Sequence, residues 1–138
     1  MAKKDKFHDA VKCALINEGW TITHDPYKIE YRRDPLYVDL GAEAPLAAEK
    51  AGRKIAVEGK SFLGRSGITD LCAAVGQFLF YRLLMASSDP ERTLFLAMPT
   101  EAYGEILDEK DGQAFIEQEK LRLVLYDPVN EVLDRWIE

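Results

Sequence analysis

Two carboxylates and a lysine in the middle of the chain are the residues most suited to chemistry. Asp39 lies in the apolar run Val38-Asp39-Leu40, and Glu58 and Lys60 lie two residues apart in the next run, Ile55 to Lys60. Magnesium prefers oxygen ligands and usually takes one or two carboxylates together with water and a phosphate oxygen. A lysine beside such a cation can hold positive charge near an attacking water or a pentacovalent phosphate. These residue types therefore indicate a metal-dependent phosphodiesterase site.

The alternation of apolar and polar residues predicts the strands that position these side chains. Residues 36–42 alternate strictly, which places Asp39 on the face opposite a single aliphatic row. The same alternation in residues 53–61 places Glu58 and Lys60 together on one face. The two carboxylates would then lie side by side on adjacent strands, where burial without a cation is unfavourable. The alternative is a surface strand pair with a Glu/Lys ladder, and the spacing leaves both interpretations open.

The longest helical pattern, residues 68–85, bears on the same site. Its predicted buried stripe consists of Ile68, Leu71, Cys72, Val75, Leu79 and Leu83. Gln77 and Tyr81 are four residues apart and fall roughly opposite that stripe. When a helix packs on a sheet, the side that faces away from the sheet is ordinarily charged and exposed to water. In this helix that side carries small, aromatic and amide residues. We therefore expect this side of the helix to face a groove or a partner. The alternative is that the C-terminal elements of the chain pack against it, so that the helix is sandwiched between them and the sheet.

The order of elements predicts one α/β domain over residues 1–138, with a mixed central sheet flanked by helices. An N-terminal helix, capped by Asp5, is followed by a strand cluster, the long helix and a strand-helix-strand finish. A tight hairpin turn is expected at Ala51-Gly52, between strands 46–50 and 53–61. The other predicted elements are helix 5–18, strand 20–23, a strand or loop at 28–34, strand 93–98, helices 100–107 and 112–118, and strands 121–126 and 132–137.

The net charge of −6 argues against a general polyanion binder, but the charge is unevenly distributed. Residues 28–65 carry eight Lys/Arg against six Asp/Glu, whereas residues 89–138 carry five against thirteen. A phosphate is therefore expected to bind near the central segment, while the C-terminal third faces water or a basic partner.

The remaining features of the composition predict a soluble, cytoplasmic protein. Cys13 and Cys72 lie inside helical patterns without Cys-x-x-Cys spacing, so we expect buried free thiols in a reducing compartment. The N-terminus leads straight into an amphipathic helix, which predicts no signal peptide. No apolar run approaches the roughly 20 residues of a membrane span, so no membrane association is expected.

Three motifs resemble a known series of catalytic residues. Asp39, Glu58-Gly59-Lys60 and Gln77-x-x-x-Tyr81 are similar to the D…(D/E)-x-K…Q-x-x-x-Y series of the PD-(D/E)xK, or restriction-endonuclease-like, superfamily. The whole chain more closely resembles the XisH family, cyanobacterial proteins named as controlling factors for excision of the fdxN element. The segments that carry this resemblance are Phe7-His8-Asp9, residues 19–26, Val38 to Glu43, Ala47 to Lys50, Ile55 to Glu58, Lys60-Ser61-Phe62, Gly76-Gln77-Phe78 and Tyr126-Asp127-Pro128.

The resemblance implies a restriction-endonuclease-like core and a role in DNA rearrangement during heterocyst differentiation. By analogy with the superfamily, Asp39 and Glu58 would hold Mg²⁺ or Mn²⁺, and Lys60 would assist the water. Gln77 would orient that group, and Tyr81 would support it. The family also implies a small companion protein of the XisI type.

Two further side chains are additional candidates for the same site. His8 occupies the place where related nucleases often carry a glutamate on the first helix; the alternative is a plain helix-surface histidine. Glu43 shares the predicted face of Asp39 and is a further candidate metal ligand.

Gly59 departs from the superfamily pattern. The middle residue of E-x-K is normally aliphatic, because it is expected to face the core under the long helix. A glycine there removes that packing and loosens the strand interior by roughly 1 kcal/mol. We expect this change to relax the geometry of Glu58 and Lys60 without deleting either group.

Two functions of different classes follow. The first is Mg²⁺-dependent cleavage of DNA, expected from a homo-oligomer or a complex because a chain this small offers few phosphate contacts alone. The second is a catalytically weak or inactive regulatory module that docks a recombinase or an XisI-type companion. The acidic C-terminal third suits a basic partner, although a solvated helix face explains it as well.

Overall fold

Helices and strands alternate around one large sheet, as seen in a computed structural model that describes residues 6–44 and 52–138. In chain order the elements are α1 (His8–Asn17), β1 (Thr21–His24), β2 (Tyr27–Ile29), β3 (Leu36–Val38), β4 (Leu40–Glu43), β5 (Lys54–Gly59), α2 (Gly67–Ser88), β6 (Arg92–Pro99), α3 (Thr100–Ile106), α4 (Lys110–Glu119), β7 (Leu123–Asp127) and β8 (Val132–Ile137). The predicted mixed α/β class is confirmed. The predicted cap of α1, Asp5, lies outside the described residues.

The main sheet has six strands in the order β1-β4-β5-β6-β7-β8. The central strands β5, β6 and β7 run parallel, and antiparallel strands extend the sheet at both edges. Strands β2 and β3 form a separate antiparallel pair. Because parallel strands carry their carboxyl ends to the same edge, residues that follow β5, β6 and β7 lie near one another.

Two hydrophobic cores lie on opposite faces of the sheet. Ala56 of β5 belongs to the core that contains the buried residues of α2, whereas Ile55 and Val57 belong to the core that contains Val11 and Leu15 of α1. Successive side chains of a strand point to opposite faces, so β5 contributes to both cores. A strand buried on both sides needs the continuous apolar run that this segment shows.

The prediction of one continuous strand over residues 36–42 is wrong. The chain bends at Asp39, so that Val38 pairs with Tyr27 in the small sheet while Leu40 pairs with Val57 in the main sheet. Val38 lies in the core beside α2 and Leu40 in the core beside α1. The predicted single aliphatic row is therefore divided between the two cores. The hairpin arm at 46–50 falls outside the described residues, and β4 is the antiparallel neighbour of β5.

The predicted orientation of the long helix is also wrong in part. Its buried residues are Leu71, Ala74, Val75, Phe78, Tyr81 and Met85. Ile68 and Leu83, which the predicted stripe buries, are 60% and 67% exposed. Both sides of this helix are apolar, so its periodicity could not decide which side meets the sheet. Cys72 is exposed and Cys13 half-buried, which also corrects the prediction of two buried thiols.

Helix α2 is long and apolar enough to cross a membrane by length and composition alone, with a mean hydropathy of 1.3 over an 18-residue window. This finding qualifies the prediction that no apolar run approaches a membrane span. The helix packs against β6, and its buried face forms much of one core. A core helix of a soluble protein passes the same test of length and composition.

Candidate functional site

The antiparallel register of β4 and β5 brings Asp39 and Glu58 together. Leu40 pairs with Val57 in this register. Asp39 precedes Leu40 and Glu58 follows Val57, so the two acids lie opposite each other. Glu58 Oε1 accepts a hydrogen bond from Asp39 N at 3.0 Å, and Asp39 Oδ2 accepts one from Gly59 N at 2.8 Å. Each carboxylate is thus held by the backbone of the opposite segment, which fixes the two acids as a pair.

Lys60 completes the cluster at the carboxyl end of β5. Its Nζ lies 3.9 Å from Glu58 Oε2, and its side chain is partly exposed. The Lys60 backbone is held from two sides, because its N–H donates to Ala97 O at 3.0 Å and its carbonyl accepts from Tyr126 Oη at 3.2 Å. The ammonium group therefore stands beside the carboxylate pair on a fixed segment of backbone.

A small cavity of about 230 Å³ opens beside Lys60. It is lined by Lys60, Ser61, Phe62, Leu63, Gly64, Asp70, Ala73 and Ala74, from the loop after β5 and the first turns of α2. The cavity gives a small solute access to Lys60, whereas Asp39 and Glu58 are not among the residues that line it.

Burial sets the chemical character of Glu58. The residue is only 4% exposed, and this burial, together with the nearby charge of Asp39, raises the pKa of the Glu58 carboxyl from 4.5 to about 8, against the opposing effect of Lys60. A divalent cation would relieve both of the effects that raise this pKa. The pair fits the one or two carboxylates that Mg²⁺ usually takes. Within residues 6–44 and 52–138 no cluster of three or more His, Cys, Asp or Glu side chains forms, so water or phosphate oxygens would complete the coordination.

Gln77 and Tyr81 form a hydrogen-bonded pair within α2. Gln77 Nε2 donates to Tyr81 Oη at 2.9 Å, and Tyr81 is buried in the same core as Ala56. The sequence predicted that these two residues lie opposite the buried face of the helix. The structure does not place them there. Glu58 shares a strand face with Ala56, so the pair lies on the side of the sheet toward which Glu58 points.

Glu43 lies away from the carboxylate pair. It pairs with Lys54 at the other end of β5, roughly 13 Å along the strand from Glu58. Its carboxylate is 3.6 Å from Arg92 Nη2. The structure therefore does not bring Glu43 together with Asp39, because Glu43 lies beside the other end of β5.

His8 is buried in the first turn of α1 and is not a helix-surface residue. Its Nε2 lies 3.0 Å from Asp25 Oδ1, and Lys12 Nζ lies 2.7 Å from the other oxygen of that carboxylate. His8 Nδ1 is buried and has no hydrogen-bond partner in the described part of the chain. These contacts tie α1 to the turn between β1 and β2.

Tyr126 is a contributor to the site that sequence reasoning missed. It donates to the Lys60 carbonyl from the carboxyl end of β7, two strands from β5. The signal that could have found it is the parallel order of β5, β6 and β7, which sequence periodicity does not reveal. In the sequence, Tyr126 ends the predicted strand 121–126 and begins one of the segments that resemble the XisH family.

Gly59 faces α1 and not the long helix, which corrects the expected direction. A Cβ built at this position would lie 3.4 Å from Val11 Cγ2 and 3.5 Å from Asp39 Oδ2, so one methyl group fits. Gly59→Ala is expected to raise the free energy of unfolding by about 0.5–1 kcal/mol, because alanine loses less backbone entropy on folding. Urea denaturation of the two proteins measures the difference.

Gly59→Val provides the contrasting variant. Its extra methyl groups must press on Val11 or Asp39, so we expect it to lower the free energy of unfolding. An alanine variant as destabilised as the valine variant would show that no methyl group fits beside Val11.

The fold and the site define a mixed α/β protein in which a buried glutamate, a half-buried aspartate and a lysine meet at the carboxyl end of a parallel strand. The chain belongs to the XisH family, because the family model described as XisH protein matches residues 1–134. The resemblance to that family inferred from the sequence is thereby confirmed.

Solved structures agree with this assignment. An XisH family protein from Nostoc punctiforme is 37% identical, with a TM-score of 0.86 over 97% of this chain and 100% of that chain. An fdxN element excision controlling factor protein from Anabaena variabilis is 36% identical, with a TM-score of 0.84 over 96% of this chain and 98% of that chain. No functionally curated protein matches the sequence.

Proposed function

We propose that this XisH-family chain is a Mg²⁺-dependent, endonuclease-like protein that acts on DNA in controlling the excision of a DNA element. The observation that carries the proposal is the geometry of the carboxylates: Glu58 Oε1 accepts from Asp39 N, and Asp39 Oδ2 accepts from Gly59 N. Lys60 Nζ lies 3.9 Å from Glu58 Oε2. The resemblance to the PD-(D/E)xK series supports the chemistry. The description of the Anabaena variabilis protein as an excision controlling factor supports the process.

The proposed roles follow from the position of each group. The carboxylates of Asp39 and Glu58 would hold Mg²⁺ or Mn²⁺, which when bound supplies an activated water and neutralises phosphate charge. The side chain of Lys60 lies at the partly exposed end of the cluster, where it can contact a phosphate oxygen. Tyr126 fixes the backbone of Lys60, and Gln77 with Tyr81 would support the cluster from α2.

DNA binding by this chain is proposed to need more than one copy or a partner. The net charge of −6 opposes DNA binding, and phosphate contacts supply most of the affinity in such complexes. A homo-oligomer would double the number of central basic residues that reach the phosphates. The proposed setting is the cytoplasm, where genomic DNA is accessible.

Metal titration by calorimetry and plasmid nicking test this proposal. The wild type is expected to bind Mg²⁺ or Mn²⁺ and to nick supercoiled plasmid, while Asp39→Ala and Glu58→Ala lose metal binding. Lys60→Ala is expected to retain metal binding but to lose about 100-fold or more in cleavage rate, because a group that stabilises developing charge is removed.

Matched variants keep the test specific. Glu117→Ala and Lys110→Ala remove the same charges from exposed positions outside the cluster and outside the central basic segment, and should leave both measurements unchanged. A wild type that binds neither metal and nicks no plasmid would show that the enzymatic proposal is wrong.

A second candidate function is a regulatory module that docks a recombinase or an XisI-type companion. The burial of Glu58 favours it, because a carboxylate that is 4% exposed meets a DNA phosphate only indirectly. Metal binding without cleavage in the same experiments would support this function. Metal-dependent cleavage that is abolished by Asp39→Ala would exclude a purely regulatory role.

A further inference from the structure

The outward side of α2 carries no charged residue. All of α2 lies in the described part of the chain, and its exposed residues are Ile68, Thr69, Cys72, Ala73, Gly76, Phe80, Leu83, Ala86, Ser87 and Ser88. These residues, called the α2 outer face below, cover nearly the full length of the helix. By contrast, Asp9 in α1, Glu101 in α3 and Glu117 in α4 are exposed charges on the other helices.

The two charged residues of α2 are turned away from this face and already engaged. Asp70 accepts a hydrogen bond from Gly64 N at 3.0 Å. Arg82 donates to the carbonyl oxygens of Lys120 and Glu119, at 2.7 and 3.1 Å. Neither side chain is placed to interrupt the α2 outer face, which therefore forms a continuous uncharged surface.

The face is large enough to contribute substantially to a stable interface. Ile68, Phe80 and Leu83 are 60%, 41% and 67% exposed, and Leu63, which shares a cavity with Ala73 at the edge of the face, is 57% exposed. At roughly 200 Å² for each large apolar side chain, these four expose about 450 Å². The small residues between them add to this area, and a standard interface buries about 800 Å² per partner.

The distribution of residue sizes makes the face complementary to itself. Small residues occupy its middle, where Cys72, Ala73 and Gly76 allow another helix to approach closely, and large residues lie toward its ends. Ile68 precedes Gly76 by eight residues and Leu83 follows it by seven. Among the described residues, a Cβ at Gly76 would meet nothing within 4 Å, so packing within residues 6–44 and 52–138 does not require a glycine there.

We propose that the α2 outer face is a homodimer interface, in which two copies of α2 pack antiparallel about a two-fold axis at Gly76. Ile68 then lies against Leu83 of the second copy, near the ends of the interface. Cys72 lies against Phe80 of the second copy, so a small residue packs against a large one. In a two-fold interface every such contact occurs twice. A charged surface would have to give up its hydration against this face, whereas a second copy of the same face has no charge to desolvate.

The oligomeric state in solution tests the interface, by sedimentation velocity of the purified chain from low to high micromolar concentration. The wild type is expected to form dimers. Leu83→Glu is expected to weaken dimerisation by about 100-fold or more, because two carboxylates would be desolvated without partners. Leu83 makes its contribution from an exposed position, so this variant should fold, and circular dichroism checks that it does.

Val129→Glu is the matched control, because Val129 is even more exposed than Leu83 and lies in the turn between β7 and β8. It introduces the same charge and should leave the dimer unchanged. A wild type that stays monomeric throughout the concentration range, or a Leu83→Glu variant that dimerises like the wild type, overturns the proposal. A monomeric wild type leaves the metal titration unaffected, because Asp39 and Glu58 lie outside the α2 outer face.

Disulfide formation tests the antiparallel arrangement. In a background of Cys13→Ser and Cys72→Ser, Gly76→Cys should form a disulfide-linked dimer on oxidation, because the two-fold axis brings position 76 of both copies together. Cys72 alone, in a Cys13→Ser background, should not cross-link, since the two sulfurs lie on opposite sides of the axis. Efficient cross-linking through Cys72 but not through position 76 overturns the antiparallel arrangement.

Discussion

Replacing Glu58 with glutamine is expected to stabilise the protein by about 3–4 kcal/mol at pH 8 when no divalent cation is present. In the unfolded chain this carboxyl ionises near pH 4.5, whereas burial and the charge of Asp39 raise its pKa in the folded chain to about 8. Between these values the folded state holds the proton more tightly, so the wild type loses stability as the pH rises from 4.5 to 8. Glutamine carries no charge, and its amide oxygen can still accept from Asp39 N.

Urea denaturation in a metal chelator, at pH 4.5 and at pH 8, measures this effect. The difference in free energy of unfolding between Glu58→Gln and the wild type should be small at the lower pH and should develop by the higher one. Glu117→Gln, at an exposed position on α4, should show no such change. An equal difference at both pH values would mean that the Glu58 carboxyl ionises normally in the folded protein.

Added Mg²⁺ provides a link between this stability effect and the proposed function. A cation that binds the ionised pair stabilises the folded state by mass action. The melting temperature of the wild type at pH 8 should therefore rise with Mg²⁺, while that of Glu58→Gln should not. Stabilisation of both proteins by the same amount would place the bound metal elsewhere.

Replacing Arg92 with alanine is expected to destabilise the protein by about 3–5 kcal/mol. This guanidinium is buried, donates to Asp89 Oδ2 at 2.9 Å and to Ile55 O at 2.8 Å, and lies 4.8 Å from the centre of the Tyr27 ring. It connects the residue that ends α2 to the central sheet and to the small one. Its removal takes a buried donor from the Ile55 carbonyl and the cation from Asp89, whose Oδ2 keeps the hydrogen bond from Tyr27 Oη at 2.7 Å.

Arg53→Ala is the matched control for this prediction. Arg53 also forms an ion pair, with Glu138 at 2.9 Å, and lies 5.8 Å from the Phe95 ring, but it is exposed. Urea denaturation should show a loss below about 1 kcal/mol for this variant. If Arg92→Ala is no more destabilised than Arg53→Ala, the buried network contributes no more than a surface pair. Arg92 begins β6 and pairs with Lys54, at the opposite end of β5 from Glu58. Its loss should therefore not change the metal affinity of the folded protein.

The sequence by itself determined the order of the elements, the mixed α/β class and the membership of the XisH family. Each of these depends on local periodicity or on similarity along the whole chain, and both are properties of the sequence. The same reasoning singled out Asp39, Glu58 and Lys60, because an acid and an E-x-K motif on neighbouring apolar runs are visible without coordinates.

The tertiary structure alone decided which faces these elements bury. Alternation in residues 36–42 does not show the bend at Asp39, which divides Val38 and Leu40 between the two cores. The helix α2 is apolar on both sides, and only its packing against the sheet buries Tyr81 and exposes Leu83. The raised pKa of Glu58 likewise follows from burial beside Asp39, which depends on contacts between strands and not on local sequence.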